Sequence, residues 1–141
     1  MLQEVSDGIW MTQDPLFKFF GLFQIGTRMT VVRLPEGKLW VHSPVGLSDE
    51  LKGALDKLGV VAHIVCPNQF HHLFAGEYAT AYPGAKVYGT QSLLKKRKDL
   101  RFEMLMGEGF TSPEEWGEVL ESLYIGGSAF EETVFLHRSS K

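Results

Sequence analysis

The sequence predicts an α/β fold organised as one domain over residues 1–141, and three observations carry that prediction. Val60–Cys66 is a nearly continuous β-branched run, the pattern of a strand buried on both faces of a sheet. Ahead of it, Leu51, Ala54, Leu55 and Leu58 recur at i, i+3, i+4 and i+7, one apolar stripe on a helix. From the first hairpin onward, strand and helix signals alternate, which implies parallel pairing through right-handed crossovers.

Taken in order, residues 9–12 (Ile-Trp-Met-Thr) predict a short strand closed by an Asp14-Pro15 turn. Residues 16–23 hold four Phe and predict a flap covering the core, because buried aromatics carry large apolar area. Residues 27–34 and 38–42 predict a hairpin around Pro35-Glu36-Gly37. Ser48 is placed to cap the next helix, Asp49 and Glu50 complement its positive end, and Gly59 stops it. After the buried strand, Pro67-Asn68 breaks the chain, residues 71–82 predict a helix ending at Pro83-Gly84, and 85–88 a strand. A short helix over 91–98 and an irregular loop with some strand character over 101–109 follow. Residues 119–125 and 132–137 are the last strand candidates, joined by Gly126-Gly127-Ser128, which lacks the Lys and following helix of a phosphate loop. The chain stops just after a strand, an unexpected place for a self-contained α/β domain.

Composition narrows the function classes. Apolar residues make up 44% and charged residues 22%, a globular balance far from that of disordered chains. A net charge of −3 argues against a general polyanion binder, so the run Lys95-Lys96-Arg97-Lys98 reads as a solvated helix face and no nucleic-acid partner is expected. Cys66 is the only cysteine, which excludes an intrachain disulfide and a Cys-rich zinc knuckle and fits a reducing cytoplasm. Residues 1–20 mix charged with apolar side chains, unlike a signal peptide, and no apolar stretch is long enough to span a membrane.

A resemblance rests on Thr27-Arg28-Met29, on residues 39–45 (Leu-Trp-Val-His-Ser-Pro-Val), on residues 67–74 (Pro-Asn-Gln-Phe-His-His-Leu-Phe) and on residues 135–138 (Phe-Leu-His-Arg). Through these the chain resembles the metallo-β-lactamase superfamily, and more narrowly its uncharacterised branch called domain of unknown function 4336, over nearly its whole length. The resemblance implies half of a metallo-β-lactamase-type αββα sandwich, the amino-terminal half, with a mixed sheet and flanking helices. Active members carry His-x-His-x-Asp-His after the buried strand, where imidazoles and a carboxylate hold zinc and a bridging hydroxide attacks the substrate. Laid over that pattern, this sequence has Pro67, Gln69, His71 and His72 in place of those ligands. The third histidine of the first metal site aligns with Gly127-Ser128-Ala129, and Ser43-Pro44-Val45 lacks the supporting Asp. The resemblance thus implies a degenerate metal site in which His72 is the one expected ligand retained.

The residues themselves leave two roles open for His71 and His72. Adjacent positions on a regular helix point about 100° apart and do not clasp one ion, a constraint that relaxes at a helix start. One divalent metal (zinc, iron or manganese) on His71, His72 and Glu77 is the chemical reading, with Glu77 as carboxylate ligand or base. Hydrogen bonding within the loop, and a solvated Glu77, is the structural one. His42, Pro67, Asn68, Gln69 and Ser128 are expected to line the former metal cleft. His63 is expected in the sheet, Cys66 as a small buried hydrophobe, and His137 at a strand end. The functional expectation is a non-catalytic protein that binds a small molecule or a partner in that cleft, with no cofactor. The alternatives are a hydrolase with an altered site, or a pure interaction module using residues 17–23. Half a sandwich leaves one sheet face open, which predicts a homodimer.

Overall fold

A computed structural model of the chain describes residues 2–14, 18–19, 23–24, 27–68, 72–116, 118–126 and 131–138. Strands β1 (Gln3–Ser6), β2 (Ile9–Asp14), β3 (Lys18–Phe19), β4 (Phe23–Gln24), β5 (Thr27–Arg33) and β6 (Lys38–His42) open the chain. Helix α1 (Asp49–Leu58), β7 (Val60–Cys66), α2 (Ala75–Ala81), β8 (Lys86–Thr90), α3 (Leu93–Lys96) and β9 (Phe102–Met106) follow, and β10 (Leu120–Ile125) and β11 (Glu132–His137) close it. The large sheet has the order β1-β2-β5-β6-β7-β8-β9. Pairing is antiparallel from β1 to β6 and parallel from β6 to β9, as expected where hairpins give way to helical crossovers.

Local chemistry sets the elements where the sequence predicts them. Ser48 Oγ accepts the Leu51 N–H at 3.1 Å, and the Gly59 N–H closes α1 on the Leu55 carbonyl at 3.1 Å. Gly59 has a second reason to be glycine: a Cβ there would lie 2.1 Å from the Gly37 carbonyl oxygen. Helix α2 begins at Ala75 rather than His71, because His72 to Phe74 form a turn stapled by the Ala75 N–H to His72 carbonyl bond. Helix α3 is a single turn, and the region with strand character becomes β9, drawn into the sheet beside β8. Strand β1 carried no sequence signal, being a short and mostly exposed edge. Of the predicted aromatic flap, only the β3–β4 backbone is described, and Leu16, Phe17 and Phe20 to Leu22 lie outside the described residues.

Two apolar layers sandwich the sheet. One face packs Met29, Val31, Leu39, Val41 and Ile64 against Leu55 of α1, Tyr78 of α2 and Leu93 of α3. The other packs Val32, Trp40, Val65 and Tyr88 against Trp116, Leu120 and Phe135, supplied by the connection 107–119 and by the antiparallel β10–β11 hairpin. The second face of the sheet is therefore covered at its centre, not left open as the half-sandwich argument predicts. The outside of the hairpin carries exposed apolar side chains, Leu123, Ile125, Val134 and Leu136, at 39–61% exposure.

Candidate functional site

The parallel strands β6, β7 and β8 end side by side, and the loop after β7 is where the resemblance places a metal. The hairpin is stitched to that loop. The Thr133 N–H donates to the Pro67 carbonyl at 2.9 Å, and Asn68 forms a β-bridge with Glu132. Asn68 is buried, and Pro67 and Asn68 act as staples between the sheets. Gln69, His71 and Ser128 lie outside the described residues.

His72 is buried, with Nδ1 3.3 Å from Nη1 of Arg97. The same Nη1 donates to the His72 carbonyl at 2.5 Å. The rest of the guanidinium is held by Asp99, Nε to Oδ1 at 2.9 Å and Nη2 to Oδ2 at 2.8 Å. That bidentate bond holds the Asp99 carboxyl down at about 2. Glu77 points elsewhere: its Oε2 accepts the Leu47 N–H at 2.8 Å and ties α2 to the chain ahead of α1.

These positions test whether a metal fits. A guanidinium has donors only, so its hydrogen bond to His72 requires that Nδ1 carry the lone pair and that a neutral ring keep its proton on Nε2. The lone pair a metal would need is directed at a cation. Among the described residues no three His, Cys, Asp or Glu side chains gather to hold an ion. His72 and Glu77 as placed do not fit a metal centre.

Two further polar clusters lie beside and on the sheet. Glu131 accepts the Ser92 N–H at 2.7 Å and a hydrogen bond from the Tyr124 hydroxyl. Burial pushes the Glu131 carboxyl up, but these donors, with the hydroxyls of Ser92 and Thr90, outweigh it and leave it below the ordinary range. On the sheet itself, fully buried His63 lies 3.3 Å from the Tyr88 hydroxyl through Nδ1 and 3.3 Å from Glu115 Oε2 through Nε2. Its burial pushes the imidazole down to about 4. Cys66 is fully buried and its thiol is pushed up to about 12 by that burial, the opposite of an activated nucleophile.

A cleft of about 310 Å³ opens between the large sheet and the hairpin, lined by Val32, Trp40, His42, Phe135, His137 and Glu132 among others. His42 stacks on Trp40, ring centroids 5.4 Å apart and planes at 23°, and meets Phe135 edge-on at 5.5 Å. Its Nδ1 is 3.1 Å from Ser43 Oγ, and Ser43 itself takes a left-handed backbone, φ 56°, fixed by its N–H to the Val65 carbonyl at 2.9 Å. His42 lines this cleft from β6, and His137 joins it from the other sheet. Glu131 carries no sequence signal, and Arg97 and Phe135 enter the sequence reading only within a basic run and a stretch of family resemblance. Arg97 sits in a basic run that reads as solvent-facing, and only the turn after α3 swings it inward.

The architecture is that of the metallo-β-lactamase fold. DIM-1 metallo-β-lactamase superposes with a TM-score of 0.70 at 19% identity, over 99% of this chain and 66% of that one. Metallo-β-lactamases from Hirschia baltica and Pontibacter korlensis each match with a TM-score of 0.66, at 17% and 16% identity, over 97% and 99% of this chain. The chain spans about two thirds of the length of these structures, 66% of the DIM-1 enzyme. At such identities the likeness defines the fold. No curated protein matches the sequence. The family model described as Domain of unknown function (DUF4336) matches residues 7–95, and the chain belongs to that family.

Proposed function

We propose that the chain is a non-catalytic member of the fold, with a degenerate metal site, that binds a small molecule or a segment of a partner in the cleft between the sheet and the hairpin. One observation carries this reading: the cleft has the volume of a small-ligand site, with an aromatic floor of Trp40, His42 and Phe135 and a few polar groups at its margin. The test is ligand-observed NMR against a library of small aromatic and carboxylate compounds, with competition in His42→Ala. Binding that weakens in that variant supports the reading. The other outcome is turnover of an ester, lactone or phosphodiester by protein carrying stoichiometric zinc, iron or manganese that His72→Ala loses. That result would favour an altered hydrolase built on His71, His72 and Glu77.

A homodimer belongs to the same proposal. Its support is the apolar outer face of the hairpin, Leu123, Ile125, Val134 and Leu136, beside the Glu121–Arg138 ion pair at 3.1 Å, an arrangement suited to self-pairing across a two-fold axis. Light scattering at micromolar concentration decides it: a monomer there sinks the idea.

A further inference from the structure

We propose that Arg97 is a built-in cation that organises the loop after β7 in place of a metal ion and keeps His72 from ligating one. Three acceptors of the loop converge on Nη1: His72 Nδ1 at 3.3 Å, the His72 carbonyl at 2.5 Å and the Leu73 carbonyl at 3.4 Å. A ring nitrogen and two carbonyl oxygens, all acceptors, are thus met by the donor hydrogens of one cationic group. The remaining edge of the guanidinium is neutralised by the bidentate Asp99.

The cation is set in place from several sides. The Arg97 N–H bonds the Leu93 carbonyl at 2.8 Å, and its carbonyl accepts the Leu100 N–H at 3.1 Å, so the backbone that delivers it is fixed. The side chain is 14% exposed against 61% for Asp99, so the guanidinium is enclosed while its counter-charge faces water. Gly76 of α2 leaves the room: a Cβ there would stand 3.2 Å from Nη2 and 3.6 Å from Asp99 Oδ2. A lysine would supply charge without the fork that serves the loop and Asp99 together.

His72 therefore presents a donor nitrogen, Nε2–H, and not a lone pair, at the one position where the family's ligand type is retained. This assignment does not depend on what the inter-sheet cleft binds. It is tested on protein purified without a histidine tag, by long-range proton–nitrogen correlation of the histidine rings at pH 7.5, before and after excess zinc chloride. The expected wild-type result is His72 as the Nε2–H tautomer, unmoved by zinc and with an unfolding temperature insensitive to chelator. In Arg97→Lys the tautomer becomes mixed and zinc shifts the His72 signals that it leaves unmoved in the wild type. Wild-type His72 in the Nδ1–H form, or displaced by zinc, overturns the proposal. So does an Arg97→Lys protein that folds yet leaves His72 unchanged. The wild-type spectrum decides by itself if that variant does not fold.

Discussion

His63 shows how one side chain ties stability to pH. It sits fully buried on β7, between the Tyr88 hydroxyl and the Glu115 carboxylate, and Glu115 is shared with Lys86 Nζ at 2.7 Å. Burial holds the folded imidazole at about 4, against an ordinary value of 6.5. Between those values the unfolded chain takes up a proton that the folded chain refuses, so stability falls as pH drops from 6.5 toward 4. The expected loss is on the order of 3 kcal/mol at most. Urea unfolding at pH 7 and pH 4.5 measures it, and His63→Gln flattens the difference; an unchanged slope would show that another group carries it. Cys66, by contrast, has no titration to contribute near neutrality, because its buried thiol stays protonated.

At the scale of elements, α1 separates the cost of a lost bond from the cost of a clash. Ser48→Ala removes one cap hydrogen bond and leaves solvent to replace it, a loss of about 1 kcal/mol. Gly59→Ala forces a methyl against the backbone carbonyl of Gly37, which no side-chain rotation relieves, and is expected to cost about 1–3 kcal/mol. Denaturation of the two variants under one condition checks the order. A Gly59→Ala protein as stable as Ser48→Ala would mean that the turn at Gly37 yields freely. The helix was legible because capping and periodicity act within a few residues. The start of α2 was not, since the turn from His72 to Phe74 is held by Arg97, twenty-five residues further on.

For the molecule as a whole, Trp116 joins the two sheets. It is fully buried and meets Trp40, Tyr88, His63 and Phe135 with ring centroids 4.7–6.1 Å apart. Trp116→Ala removes the wedge between the large sheet and the hairpin and is expected to cost about 3–5 kcal/mol. Limited proteolysis should then cut first in the hairpin, ahead of global unfolding. Cutting first within the parallel strands would show that the hairpin is held by its staples at Pro67 and Asn68 instead.

The sequence by itself determined the α/β class, the β5–β6 hairpin, helix α1, the buried strand β7 and the parallel run through β8, because each follows from local periodicity, caps and turns. The expectation that the loop after β7 departs from the metal-ligand pattern of the resemblance also came from the sequence, since Pro67 and Gln69 are read off directly. Only the tertiary structure decided where the polar groups went. Arg97 leaves a basic run to meet His72, Glu77 turns to the Leu47 amide, and the hairpin covers the sheet at Trp40 while turning Leu123, Ile125, Val134 and Leu136 outward. These contacts join residues far apart in the chain, and no local pattern encodes which of several charged or apolar neighbours a fold will bring together.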